Sequence, residues 1–399
     1  MTHAAIIAGQ REATLERIEG WERVLLIQDT TEFNFTHHPA TEGLGPVGRG
    51  QGRGFLVHTT LAVSEEGVPQ GVVEQQVWVR PADEPGTRGQ RHEREFADKE
   101  SYKWVRGLPE QPWAERLGPA VVVCDAEAHI YALLATMSRS GLGFVVRAGR
   151  RRSVTVVGED VFSHMAREPV QARLALRLRR RPEREEREAK VELRFAEVEL
   201  QRPKRTDSEE ATLKVTAVEV VEPAPPGGEK GVHWLLLTSE AVTRGEAGQR
   251  GGGWYRSRWL VERFHYTLKS GCHLEESQLR EEKRLERLLA VNSLVAWRLL
   301  WLTYQARVTP EEPCTVALSE AEWKALWLKR QRHKPLPAVP PTLGQAVIWI
   351  AQLGGYLARN SDGPPGVVVL WRGWQHLVDL ADMWTLTRPR PSRKDVGNA

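Results

Sequence analysis

Two short apolar runs that each stop at an aspartate constrain this chain more than any other feature. Residues 22–29 read Glu-Arg-Val-Leu-Leu-Ile-Gln-Asp and end at Asp29. Residues 120–124 are apolar throughout and are followed at once by Asp125. Runs of this length, bounded by polar residues, read as buried strands. A carboxylate at the C-terminal end of a buried strand is held at the rim of a sheet, where α/β proteins build their sites. Either Asp taken alone also has an ordinary explanation as a turn or helix N-cap residue.

Further strands are predicted at 54–63, 71–79, 143–147 and 234–238, with helices at 99–106 and 127–137 and a polar loop over 82–99. This order predicts an α/β fold, a mixed sheet flanked by helices. At Arg150 the composition changes. Residues 171–205 are dense in alternating charge, 191–200 and 212–221 alternate with period two, and a Pro/Gly-rich stretch follows at 222–228. The segment 150–232 therefore reads as a β-rich insertion. Long helical stretches follow at 254–269 and 281–304. Shorter ones follow at 319–329, with Ser319 as N-cap, at 343–353 and at 371–385.

Composition mainly excludes. The chain has 399 residues, 41% hydrophobic and 27% charged, a globular balance with a net charge of only +4. No apolar run approaches a membrane span, and the N-terminus lacks a signal peptide's charged and apolar regions. Cys124, Cys272 and Cys314 are too few and too scattered for a disulfide framework. These features predict a protein of a reducing cytoplasm. Arg outnumbers Lys 44 to 12, a bias that is mostly compositional.

A third acid completes a chemical pattern. Tyr255, Arg258 and Glu262 are spaced by three and four residues, and Lys269 lies seven beyond. At 3.6 residues per turn all four share one helix face. That face carries one anion among three groups able to contact phosphate. Metal-dependent phosphodiester cleavage takes two or three carboxylates around ions about 3.5–4 Å apart. Oxygen ligands of this kind suit Mg²⁺ or Mn²⁺. The plainer explanation is a solvated salt-bridge face.

These segments resemble the Asp-Asp-Glu (DDE) transposases of insertion-sequence family four, the transposon-five type. The resemblance rests on Gln28-Asp29-Thr30-Thr31, on Val123-Cys124-Asp125-Ala126-Glu127-Ala128, and on the Tyr255/Arg258/Glu262/Lys269 spacing. Flanking segments at 99–104, 144–147, 234–240 and 343–374 resemble that family too. The resemblance implies a ribonuclease-H-like fold. Its parts would be a remnant N-terminal helix (1–20), a catalytic core in two pieces (21–149 and 233–305) around the insertion (150–232), a C-terminal helical domain (306–385) and a basic tail (386–399).

Carried over residue by residue, the resemblance makes Asp29, Asp125 and Glu262 the catalytic, metal-binding triad of a two-metal Mg²⁺ or Mn²⁺ site. Tyr255, Arg258 and Lys269 would contact DNA near the cleaved end, and Arg147 would contact a phosphate. Trp234 would stack on a flipped base, although on sequence alone it reads as a core residue. Tyr266 stands where the compared enzyme has a second Lys, and His265 is expected to line or flank the cleft. The activity implied is cut-and-paste strand cleavage and transfer through a hairpin, on double-stranded transposon ends and target DNA. A homodimer would do this at the nucleoid. Only 28 residues precede Asp29, so most of the family's N-terminal DNA-recognition region is expected to be missing. Two other readings stay open: a non-catalytic, inhibitory partner of a complete transposase, and a general ribonuclease-H-like nuclease.

Overall fold

The computed structural model describes the chain except residues 49, 82–94, 111–112, 157, 179–185, 205, 207, 230, 241–245, 360 and 388–399. Most of the expected polar loop and nearly all of the basic tail lie outside the described residues. The chain divides into two compact units, Met1–Glu262 with Gln278–Arg287, and Arg263–Ser277 with Leu288–Ala399.

The first unit is built on one mixed sheet. Its strands are β1 (Val24–Asn34), β2 (Gly45–Val47), β3 (Gly52–Val63), β4 (Pro69–Trp78), β5 (Ala120–Cys124), β6 (Gly143–Arg147), β7 (Ala172–Leu178), β8 (Arg187–Gln201), β9 (Thr212–Val221) and β10 (His233–Thr238). The order is β2-β3-β1-β5-β6-β10-β9-β8-β7, with β4 also paired to β3. The centre is parallel, β1 on β5 and β5 on β6, and the flanks are antiparallel. Parallel strands are covered on both faces. That is why Val24–Ile27 and Val121–Cys124 are continuous apolar runs, and all eight residues are buried.

Helix α1 (His3–Ile18) packs on β4 and starts at Thr2, whose Oγ1 accepts from the Ala5 N–H. The one-turn helix α2 (Lys103–Arg106), α3 (Tyr131–Arg139) and α4 (Val161–Met165) follow. The expected helix at 99–106 is thus a 3-10 turn at Glu100–Tyr102 running into α2, with another 3-10 turn before it at Phe96–Asp98. The strands read as an insertion do not form a separate sheet, because β9 pairs with β10 and carries β8 and β7 outward on the same one.

Two boundaries differ from the sequence reading, both near the acids. Strand β1 does not stop at Asp29. Its parallel partner β5 ends at Cys124, but β3 continues to pair with it as far as Asn34. The expected helix 254–269 is two helices, α5 (Glu246–Ser257) and α6 (Trp259–Tyr266), followed by a π-helical turn at Thr267–Gly271.

The second unit is helical. It holds most of α7 (Glu282–Val308), with α8 (Glu320–Arg330), α9 (Leu343–Leu353) and α10 (Val367–Leu386) around a core that includes Leu299, Trp323, Leu326, Ile350 and Leu370. Ser319 is the N-cap of α8, as its sequence suggests. Its Oγ accepts from the Glu322 N–H at 3.3 Å, and Glu322 accepts back from the Ser319 N–H at 2.7 Å, a reciprocal capping box. Among the described residues no helix is long and apolar enough to cross a membrane.

Helices α9 and α10 meet backbone to backbone at two glycines. A Cβ at Gly373 would lie 1.7 Å from the Ile350 carbonyl oxygen, and one at Gly354 would lie 1.9 Å from that of Val369. Neither obstacle is a flexible side chain, so the helices would have to separate. Gly373→Ala is therefore expected to destabilise this unit by at least the usual overpacking cost of about 1–3 kcal/mol, read from urea denaturation. A wild-type midpoint would contradict that close crossing.

Candidate active site

The two aspartates come together through strand register. Ile27 is paired with Val123 in the parallel ladder. Asp29 and Asp125 each lie two residues further on, so both stand where that ladder ends. The Asp29 Oδ1 accepts from the Thr30 N–H at 2.8 Å. Asp125 is the N-cap of a 3-10 turn at Ala126–Ala128, its Oδ1 accepting from the Glu127 N–H at 2.8 Å. The ordinary N-cap explanation thus holds for Asp125, and the same cap fixes its carboxylate beside Asp29.

The third acid reaches the pair through an arginine. Arg258 is the single residue between α5 and α6. Its Nη1 is 3.5 Å from the Asp29 Oδ2, and its Nη2 is bonded to the Glu262 Oε1. One guanidinium therefore links the β1 acid to the helix acid. The Arg258 side chain also lies over the Tyr255 ring, 6.0 Å from its centroid. The break at Arg258 leaves Tyr255, Arg258 and Glu262 together. Lys269 lies in the π-helical turn, within the second unit.

Two further residues named from sequence surround Tyr255. The Trp234 ring, on β10 and half-buried, meets the Tyr255 ring edge to face at 5.8 Å. Arg147, the last residue of β6, donates from Nη2 to the His233 carbonyl at 3.2 Å and bonds to the Tyr255 side chain. Burial raises the Tyr255 pKa, so its hydroxyl stays protonated at neutral pH.

The electrostatics show crowded acids. Burial pushes the Asp29 pKa up to about 6. The Thr30 N–H and Arg258 oppose the rise, while Asp125 and Glu262 add to it. Arg258 pairs with two of these acids, Asp29 and Glu262. Burial also holds the Cys124 thiol far above its usual range, so it is a small core side chain and not a nucleophile. His265, three residues after Glu262, is buried, and burial drops its pKa to about 3. Among the described residues no group of three His, Cys, Asp or Glu side chains is gathered as a metal-holding set, and the Glu262 carboxylate is paired with Arg258.

Sequence reasoning missed the support behind β1. His58 on β3 bonds to Thr30 and Gln28, the two neighbours of Asp29. A lone histidine inside an apolar strand was the available signal, but its partners are set by register.

Residues 21–298 match the family model described as the transposase DDE domain. Residues 294–388 match the one described as the transposase Tn5 dimerisation domain.

The raised Asp29 pKa has a consequence for the metal-free protein. The folded chain keeps a proton on Asp29 up to about pH 6, whereas the ordinary value is 3.8. Between those values the folded state binds more protons, so Asp29 costs stability as pH rises through that window. Asp29→Asn is expected to raise Tm near neutral pH in chelator, through a stability gain of at most about 3 kcal/mol, with the advantage vanishing near pH 3.8. Equal Tm values at both pH extremes would contradict the buried, crowded carboxylate.

Proposed function

The chain belongs to the DDE transposases, of the Tn5 type, enzymes that act on DNA, and from that premise we propose that Asp29, Asp125 and Glu262 are its catalytic acids. The observation that carries the proposal is the Arg258 bridge between Asp29 and Glu262, with Asp125 beside Asp29 at the end of the parallel ladder.

Enzymes of this family generally use a divalent metal, and the residues present fit one. The donors are carboxylate oxygens, the chemistry Mg²⁺ and Mn²⁺ take. Asp29 is buried, and Asp125 and Glu262 lie near enough to add to the burial that raises its pKa. We read the site as a two-metal site held by Asp29, Asp125 and Glu262, with Glu262 released from Arg258. When bound, the ions supply Lewis acidity toward the scissile phosphate and charge neutralisation at its attacking and leaving oxygens.

The remaining roles belong to the chain's own side chains. Arg258, once exchanged off the acids, offers a planar donor pair to a phosphate. Arg147 and the Tyr255 hydroxyl, already bonded to each other, present a second donor group to the strand. Lys269 is assigned as a further DNA-contacting charge. Trp234, half-buried against Tyr255, offers an aromatic surface for an unpaired base, a contact worth about 1–3 kcal/mol.

The substrate on this reading is double-stranded DNA at transposon ends. Cleavage frees a 3′-OH, which attacks the opposite strand to give a hairpin, and after reopening attacks target DNA. Two protomers, joined through the 294–388 region that matches a dimerisation domain, would synapse two ends. Residues 21–149 and 233–305 would form the catalytic core around the 150–232 segment.

Glu262→Gln tests the assignment. It is expected to abolish Mg²⁺-dependent cleavage of the flanking element ends, a loss of at least about 1,000-fold, while DNA affinity in gel shift stays within about twofold. Full cleavage by the variant would sink the triad. Arg258→Ala is expected to weaken DNA binding and steepen its loss with salt less than wild type, since one phosphate contact is gone. An unchanged salt slope would remove Arg258 from the DNA-contacting set.

A further inference from the structure

We propose that His58 is a positioning residue for Asp29, a buried imidazole that clamps both neighbours of the acid and so sets its carboxylate for a divalent cation. This rests on the reading of Asp29 as a metal-binding acid.

Alternation places the parts. In the β1–β3 ladder, Thr30 lies opposite His58, Asp29 opposite Thr59, and Gln28 opposite Thr60. Side chains alternate faces along a strand. Asp29 therefore points to one face of the sheet, while Gln28, Thr30 and His58 share the other. The His58 ring joins the two flanking residues on that hidden face. Its Nδ1 is 2.9 Å from the Thr30 Oγ1, and its Nε2 is 3.2 Å from the Gln28 Oε1.

The partners decide the proton positions. The Gln28 Oε1 can only accept, so His58 Nε2 carries the hydrogen and donates. In the neutral ring Nδ1 then accepts, and the Thr30 hydroxyl donates to it. The ring is 1% exposed and packs edge-on against the buried Trp104, with centroids 4.7 Å apart. Gln28 is itself fully buried, and its amide fits where Gly107 has no side chain, since a Cβ there would lie 3.0 Å from it. Thr60 anchors the same segment by donating to the Gly107 carbonyl at 2.9 Å.

The consequence falls on Asp29. Its carboxylate is oriented by the Thr30 N–H. Tying Thr30 and Gln28 to one ring fixes the peptide that carries this donor. A phenylalanine would fill the space against Trp104 at lower polar cost, since burying polar groups is unfavourable unless they are bonded. What the imidazole adds is bonding to the residues on either side of the acid. Partners behind a metal-binding group typically change metal affinity or activity by about 10–100-fold when removed.

The test uses the purified full chain and Mn²⁺ as probe, with bound Mn²⁺ read by electron paramagnetic resonance and cleavage of element-end DNA followed against Mn²⁺ concentration. His58→Phe keeps the volume and loses both bonds. We expect Mn²⁺ affinity to fall and the Mn²⁺ midpoint for cleavage to rise by about tenfold or more, with DNA affinity unchanged. His58→Asn, whose amide can reach Thr30, should recover part of that loss. Thr30→Val removes one bond without touching the ring and should shift the midpoint the same way, which keeps the test decisive if His58→Phe fails to fold. Wild-type Mn²⁺ affinity and midpoint in a folded His58→Phe, or in Thr30→Val, would overturn the proposal. Asp29→Asn separates the two ideas: if it leaves Mn²⁺ binding intact, the acid-site reading itself fails, whereas a lost site in Asp29→Asn beside an unaffected His58→Phe refutes only the clamp.

Discussion

The parallel pairing of β1 with β5 is the constraint on which the site depends. Its register sets Ile27 against Val123, and everything chemical follows from the next two residues of each strand. A shift of one residue would turn one aspartate to the other face of the sheet, because side chains alternate. The register is protected by burial. Val24–Ile27 and Val121–Cys124 are enclosed on both faces, so a slip would expose apolar side chains or bury polar ones. The core's packing thereby holds two acids side by side that would otherwise repel.

That repulsion is written into the site. Asp29 is raised to about 6 by burial and by its acidic neighbours, and the Thr30 N–H and Arg258 only partly offset this. Arg258 touches both Asp29 and Glu262, so one cation holds the acids from the strand and the helix. It can do so because it stands at the break between α5 and α6, where its side chain reaches acids on both elements. Chemistry that needs negative charge concentrated in one place carries a stability cost, and family membership gives that cost a purpose: DDE transposases work on DNA with divalent metal.

Much of this was legible before any coordinates. The apolar runs marked the central strands, and the Tyr255, Arg258 and Glu262 spacing marked a shared face that survives the helix break. Ser319 announced the start of α8 through a capping box local in sequence. Less legible were features that need a partner from elsewhere in the chain. Strand β1 runs on past Asp29 because β3 lies opposite, and the 150–232 strands join the main sheet because β9 finds β10.

The division has a physical basis. The amino-acid order by itself determined the central apolar strands, where α8 is capped, and that Tyr255, Arg258 and Glu262 lie one turn apart, since all of these depend on residues within a turn or two of each other. Only the tertiary structure decided that Asp29 and Asp125 share the end of one ladder, that Arg258 bridges Asp29 to Glu262, and that His58 grips the residues around Asp29. Those relations join positions tens to hundreds of residues apart, and they exist only once strand register and core packing have chosen which distant side chains meet.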